Sequence, residues 1–279
     1  MMNTILLRVL AGMAYLIVAV DAQITFDCNA IPETCNNMCF AANRGVYFEM
    51  HFDSNTANRP GRRRAAGCLP NPNRCNSNPP AAGRTTCDEY PFASTHGTGT
   101  GGWFSNTGAT TRCVSPAECV SQGGSLSAFY RSFNRVDQTP VDVFVENFSN
   151  TVAPWCNNAG MAPDADFQTG VQPPNRRDSV VDGFGTGVEP PNKRADPAVY
   201  MYRTAANRTV RALTGPADIG SELFIPSPNW QNHPKVKRML AGRQDDPEDG
   251  CTGTETQAQA ASLLSNDELG ETDKIVERL

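Results

Sequence analysis

Two short stretches of the chain hold the residue types that hydrolytic chemistry needs. Cys87-Asp88-Glu89-Tyr90-Pro91-Phe92-Ala93-Ser94-Thr95-His96 sets two adjacent carboxylates against an aromatic residue and a proline, and ends on one of three histidines in the sequence. Cys113-Val114-Ser115-Pro116-Ala117-Glu118-Cys119-Val120-Ser121-Gln122-Gly123-Gly124 adds a third carboxylate and an amide. Oxygen donors of this kind suit a hard cation such as Mg2+ or Mn2+. A carboxylate beside such a cation can activate a water and offset charge developing on a phosphate. Taken alone the residues are ordinary, because most loop carboxylates are simply solvated. His96 fits a base or ligand ahead of a glycine-rich stretch, but no second histidine lies near it in sequence, which favours a plain loop position. His51 reads as a strand-end residue packed on or beside a sheet, and His233 as inert.

Three elements are expected to position these groups. Val46–Phe52 alternates at Phe48, Met50 and Phe52, and Val141–Glu146 alternates as well, so both read as strands. Between them Leu126, Phe129, Tyr130 and Phe133 recur at spacings of three and four, predicting a short helix over 125–133, started by the Gly123-Gly124 turn with Ser125 as its cap. Strands flanking a helix give an α+β class: a small disulfide-rich domain with a short sheet and a helix around a metal site, followed by a largely irregular C-terminal region.

The division rests on composition. Of 279 residues, 23 are Gly and 21 Pro, and 39% are hydrophobic, below the roughly 45–50% of an ordinary globular domain. That argues against one core using the whole chain. Nine of ten cysteines precede residue 157 and Cys251 stands alone after it; all of the net charge of −5 lies in residues 157–279. Phe167–Arg177 recurs as Phe184–Arg194, each copy ending in a basic pair, so this region reads as an extended linker or a set of processing sites. Ala198–Leu213 and Gln257–Leu279 read as short helices. Arg8 ahead of the apolar run Leu10–Val20, with small residues at 20–22, reads as a secretory signal peptide. The layout is then 1–22 signal peptide, 23–156 Cys-rich domain with its core at about 44–150, and 157–279 acidic region. Secretion makes five disulfides a better reading than zinc ligation, since no Cys-x2-Cys pair exists. Asn147-Phe148-Ser149 and Asn207-Arg208-Thr209 are sequons compatible with a glycoprotein.

Asp88-Glu89-Tyr90-Pro91-Phe92-Ala93, followed by Pro116-Ala117-Glu118 and Gln122-Gly123, resembles the NucA/NucB-type secreted deoxyribonuclease domain. The resemblance implies a metal-dependent, nonspecific endonuclease acting on extracellular DNA, with RNA as a further substrate left open, and no membrane partner. It gives Asp88 the role of general base, places Glu89 and His96 beside it in the catalytic set, and assigns Glu118 and Gln122 to an Mg2+ or Mn2+ ion. His96 stands where the bacterial members carry a carboxylate, and the basic segment of those members is replaced by a loop holding Arg62, Arg63 and Arg64. That arginine cluster is the candidate for phosphate contact, since a guanidinium forks two hydrogen bonds onto a phosphate; a solvated loop is the plainer alternative. Tyr90, Trp103 and Phe104 read as core rather than base-stacking residues. A catalytically silent Cys-rich binding protein on the same scaffold is the competing class. An acyl-transfer hydrolase is disfavoured because no Gly-x-Ser-x-Gly elbow is present.

Overall fold

Strand β1 (Ala22–Asp27) opens the fold by alternation: Ile24 and Phe26 enter the main core while Gln23 and Thr25 are buried on its other face. The computed structural model describes residues 22–44, 50–69, 73–97, 109–158, 160–169, 199–227, 234–235, 264 and 270–279. Helix α1 (Pro32–Asn43) follows, with proline at its start, where the missing N–H costs nothing. Next come β2 (Met50–Phe52), α2 (Arg59–Ala66) closed by left-handed Gly67, and the single turn α3 (Arg74–Ser77). Then follow β3 (Thr86–Tyr90), β4 (Thr95–Gly97) and β5 (Thr110–Val114). The long helix α4 (Pro116–Ser132) leads into β6 (Pro140–Glu146), α5 (Pro154–Asn157) and β7 (Gln168–Thr169). The last strands are β8 (Tyr200–Thr204), β9 (Thr209–Ala212), β10 (Glu222–Pro226) and β11 (Gly270–Arg278).

Six strands close on themselves in the order β1-β10-β11-β8-β9-β6, the ring being completed by parallel pairing of β6 with β1 from Ala22↔Val141 to Asp27↔Glu146. Strand β2 pairs with β6 at Val141 and Pro140, before β9 takes over at Phe144–Glu146, and carries β4 on its far side. Strands β3, β5 and β7 form a separate three-stranded sheet. Phe144, Tyr200, Tyr202, Val210, Ala212, Leu223 and Ile275 make one cluster within the ring. The larger core lies on the other face of β1 and β6, where Ile24, Phe26, Val143 and Val145 meet Met38 of α1, Leu126 and Phe129 of α4, and Tyr90 and Phe92.

This six-stranded barrel corrects the expected short sheet with one helix around a metal site, although the class remains mixed. The C-terminal region read as largely irregular supplies β8, β9, β10 and β11, four of the six barrel strands. The stretches read there as short helices contain strands instead. In β8 the chain alternates buried Tyr200, Tyr202 and Thr204 with partly exposed Met201 and Arg203, a period of two with a polar outer face that average composition conceals. Helix α4 also begins ten residues earlier than its apolar spacing predicts. Ser115 accepts the Glu118 N–H at 3.2 Å as the cap, Pro116 occupies the first turn, and Gly123 and Gly124 lie buried inside the helix rather than starting it.

The cysteines staple this arrangement. Cys28–Cys35 and Cys39–Cys156 tie both ends of α1, Cys68–Cys87 ties the end of α2 to β3, and Cys75–Cys113 ties α3 to β5. Cys119 is disulfide-bonded too; Cys251 lies outside the described residues. The disulfide reading therefore holds for every described cysteine. Among the described residues no helix is long and apolar enough to cross a membrane.

Candidate functional site

Strand β3 carries both motif carboxylates, and because successive side chains point to opposite faces, Asp88 and Glu89 face different surroundings. Asp88 pairs across the sheet with Arg112 of β5 and has no exposed surface. Asn37 of α1 donates its Nδ2 to Asp88 Oδ2 at 2.9 Å. Gln122 of α4, also fully buried, lies close enough to lower the Asp88 carboxyl pKa, less than the Asn37 hydrogen bond does. Neither Gln122 amide atom reaches hydrogen-bond geometry with a partner. Burial dominates, with the negative charges of Glu89 and Glu118 adding to it, so Asp88 is pushed up to about 8.

Glu118 and Gln122 stand four residues apart on α4 and so share a helix face. Glu118 Oε2 accepts the backbone N–H groups of Glu33 at 2.8 Å and Thr34 at 3.3 Å, the open first turn of α1. Burial raises the Glu118 pKa; those two donors hold it back only in part. The contact fixes α1 against α4, and α1 in turn brings Asn37 to Asp88. At the rim of this face Arg112 pairs with Glu33 and with Asp164, the latter through a forked bond of 2.8 and 3.0 Å.

The donor set can be tested for a cation from these atoms. Asp88 Oδ1, Asn37 Oδ1, Gln122 Oε1 and Thr34 Oγ1 are buried oxygens without a hydrogen-bond partner, a condition that calls for an explanation in a folded protein. Those of Asn37, Gln122 and Thr34, together with Glu118, are oxygen ligands of the kind a hard cation takes. Among the described residues no three Asp, Glu, His or Cys side chains converge as a ready-made cage; the amides and the hydroxyl would therefore have to share the coordination.

The other expected site residues are placed elsewhere. Glu89 is buried with Arg63, Nε to Oε1 3.7 Å, and lines a small cavity with Arg62, Ala66, Pro91, Phe92 and Ala93. Burial pushes Glu89 up to about 7, against the pull of Arg63. Arg62 donates to the Ala93 carbonyl at 2.9 Å and pairs with Asp53. Arg62 and Arg63 are thus internal ties between α2 and its surroundings, and only Arg64 of the three is exposed. His96 lies on β4 beside His51 of β2. Trp103, Phe104 and His233 lie outside the described residues, as do Val46–Glu49 of the expected first strand. Tyr90 is fully buried in the main core.

Sequence reasoning missed Asn37 and Thr34, whose helix precedes the motifs. The one signal was their polarity among Cys35, Met38, Cys39 and Phe40, which marks polar groups carried on an otherwise apolar helix face.

Residues 38–144 match the family model described as Deoxyribonuclease NucA/NucB. That span contains Asp88, Glu89, Glu118 and Gln122, but stops one residue short of Asn37. Neither a curated protein nor a solved structure matches the chain.

Proposed function

We propose, from a segment at residues 38–144 that belongs to the NucA/NucB deoxyribonuclease family, that this protein is a secreted endonuclease hydrolysing phosphodiester bonds of DNA with the help of Mg2+ or Mn2+. The observation that carries the reading is Asp88: a buried carboxylate inside the matched segment, held by Asn37, faced by Gln122, and raised to about 8. A base whose pKa lies near the working pH combines availability with driving force. Asp88 takes the proton of the attacking water, while Asn37 fixes the carboxylate by its Oδ2 and leaves Oδ1 for that proton. Glu118 and Gln122 would hold the cation, which when bound supplies charge neutralisation at the phosphate. The oxidised cysteines and the leader-like first 22 residues support an extracellular setting.

The test is nicking of supercoiled plasmid by the purified chain. Cleavage is expected with Mg2+ or Mn2+, arrest with EDTA, and a loss on the order of 10²–10⁴-fold in Asp88→Asn. Full activity in that variant overturns the assignment. A second reading, a silent binding protein on the same scaffold, has one observation behind it: Asp88 has no exposed surface. Absence of cleavage with either cation, in a chain whose circular dichroism shows it folded, selects that reading.

A further inference from the structure

Strands β2 and β4 pair antiparallel, with His51 directly opposite His96. Their neighbours Met50 and Phe52 enter the main core, so the alternation of β2 turns His51 to the other face, and its cross-strand partner His96 shares that face. The rings stack with centroids 5.9 Å apart and planes at 25°. Both side chains are buried, at 9% and 8% exposure.

The hydrogen bonding of His96 fixes its tautomer. Nδ1 lies 2.9 Å from the Gly97 carbonyl, and a carbonyl only accepts, so Nδ1 carries the proton. In the neutral ring Nε2 is then the lone-pair nitrogen, and it is buried without a hydrogen-bond partner. A ring whose Nδ1–H is anchored on a backbone carbonyl while Nε2 stays free is the arrangement by which proteins orient an imidazole toward a metal ion. With metal–nitrogen bonds of about 2.0–2.1 Å, two imidazoles on one tetrahedral ion have centroids about 5 Å apart, so from the observed 5.9 Å the two rings must turn and close by under about 1 Å when the ion binds. Asp137 adds negative charge within electrostatic reach of His96.

We infer that His51 and His96 form a binding site for a divalent transition ion of the imidazole-preferring class, of which Zn2+ is the representative, with His96 Nε2 as one ligand and a ring nitrogen of His51 as the other. Water completes the coordination, since no third protein ligand of the usual kinds joins them among the described residues. The site differs in chemistry from the oxygen donors around Asp88: imidazole selects Zn2+, Cu2+ or Ni2+, whereas carboxylate and amide oxygens select Mg2+ or Mn2+. It does not depend on the nuclease reading. Its consequence is a crosslink between β2 and β4, on the ribbon attached to β6 of the barrel, formed only when the fold has brought residues 51 and 96 together.

The experiment uses the full chain, stripped by chelator and dialysed. Zn2+ titration by calorimetry is expected to show a high-affinity equivalent that a large excess of Mg2+ leaves in place. Affinity should fall by roughly tenfold or more in His51→Gln and in His96→Gln, the scale of losing part of a metal's support, and be kept in His233→Gln and Asp88→Asn. Cu2+ bound to the unaltered chain should show nitrogen hyperfine coupling from two imidazoles in electron paramagnetic resonance. That measurement stands even if a variant fails to fold. Absence of nitrogen coupling, or Zn2+ affinity unchanged in both folded histidine variants, overturns the proposal.

Discussion

The closing strands of the barrel and the α1–β3–α4 layer differ in which polar groups they bury. In the barrel, Tyr202 is fully buried and its hydroxyl accepts the Ala217 N–H at 2.8 Å, while Arg211 of β9 is 3% exposed and donates to the Trp155 and Cys156 carbonyls and to Asn43. In the other layer Asp88, Asn37, Gln122 and Thr34 are equally buried, yet each keeps an oxygen without a partner. Unsatisfied polar atoms in a low-dielectric interior are costly; the barrel strands carry some as well, at Gln23, Thr25 and Asp273, but in the layer they include Asp88 and the Asn37 that holds it. The four crosslinks resolved pairwise all lie on the layer's side, at α1, α2, α3, β3 and β5.

The comparison is broken most completely by removing the barrel half. A chain ending before residue 199 loses β8, β9, β10 and β11 and leaves Ile24, Phe26, Phe144 and Val145 on unclosed strands. Such a chain is expected to lack cooperative thermal unfolding and near-ultraviolet circular dichroism. A sharp transition like that of the full chain would show that the layer folds without the barrel.

Asp88→Asn should separate the two halves' purposes. Besides removing nicking activity, it is expected to raise Tm near neutral pH by a few degrees, because the folded chain no longer has to keep on residue 88 a proton that the unfolded carboxyl gives up. The sign follows from linkage. Asp88 titrates near about 3.9 when unfolded and at about 8 in the fold, so the folded state retains the proton between those values. The stability associated with Asp88 is therefore complete below about pH 4 and is lost as pH rises toward 8. Glu89 contributes with the same sign up to about 7. Urea midpoints measured across pH 4–8 should fall less steeply in Asp88→Asn than in the unaltered chain; parallel slopes would deny the raised pKa.

How much of this was legible beforehand depended on whether a contact is local. Asp88 and the Glu118–Gln122 pair could be named as candidates because each lies in a compact motif, and the strand at Val141–Glu146 was legible because a half-buried strand writes its period into adjacent residues. Asn37 was not, since its partner Asp88 is 51 positions away and only the folded helix brings them together. His96 looked isolated for the same reason: His51 is its neighbour by strand pairing alone. The arginines misled through helical phase. Consecutive residues on a helix point in different directions, so a run of three charges in sequence is not a patch on the surface. The barrel strands were concealed by the proline- and glycine-rich stretches between them, which dominate the average composition without describing Tyr200–Thr204 or Glu222–Pro226.

The crosslinks of α1 should differ in weight. Cys39–Cys156 closes a separation of 117 residues and Cys28–Cys35 one of seven, which on chain entropy alone gives about 5 and about 2 kcal/mol respectively. Paired alanine replacements of each bridge, compared by urea denaturation, should reproduce that order. Loss of the longer bridge should also reduce nicking in the fraction that remains folded, since Cys39 anchors the helix two residues after Asn37. Equal destabilisation by both would mean that the folded geometry, rather than the unfolded chain, sets their value.

At Arg62, Arg63 and Arg64 the expected effects run from large to negligible, and the contrast between layer and surface narrows to three successive residues. Arg62→Ala strips the charge partner from Asp53, which is 6% exposed, and removes the donor to Ala93 that holds the chain between Asp88 and His96. Breaking such a buried pair costs about 3–5 kcal/mol. Arg63→Ala removes the cation nearest Glu89, whose carboxyl should then be protonated to a higher pH than before. Arg64→Ala touches neither pair, and a surface substitution of this kind should lie within about 0.5 kcal/mol of the unaltered chain. If Arg64 contacts the phosphate backbone, its loss should weaken DNA binding and lower the salt dependence by roughly one ion equivalent, with Tm unchanged. A variant at Arg64 that alters Tm but not the salt slope would place that side chain with its two neighbours as a structural tie, and leave the contact with DNA to residues outside this cluster.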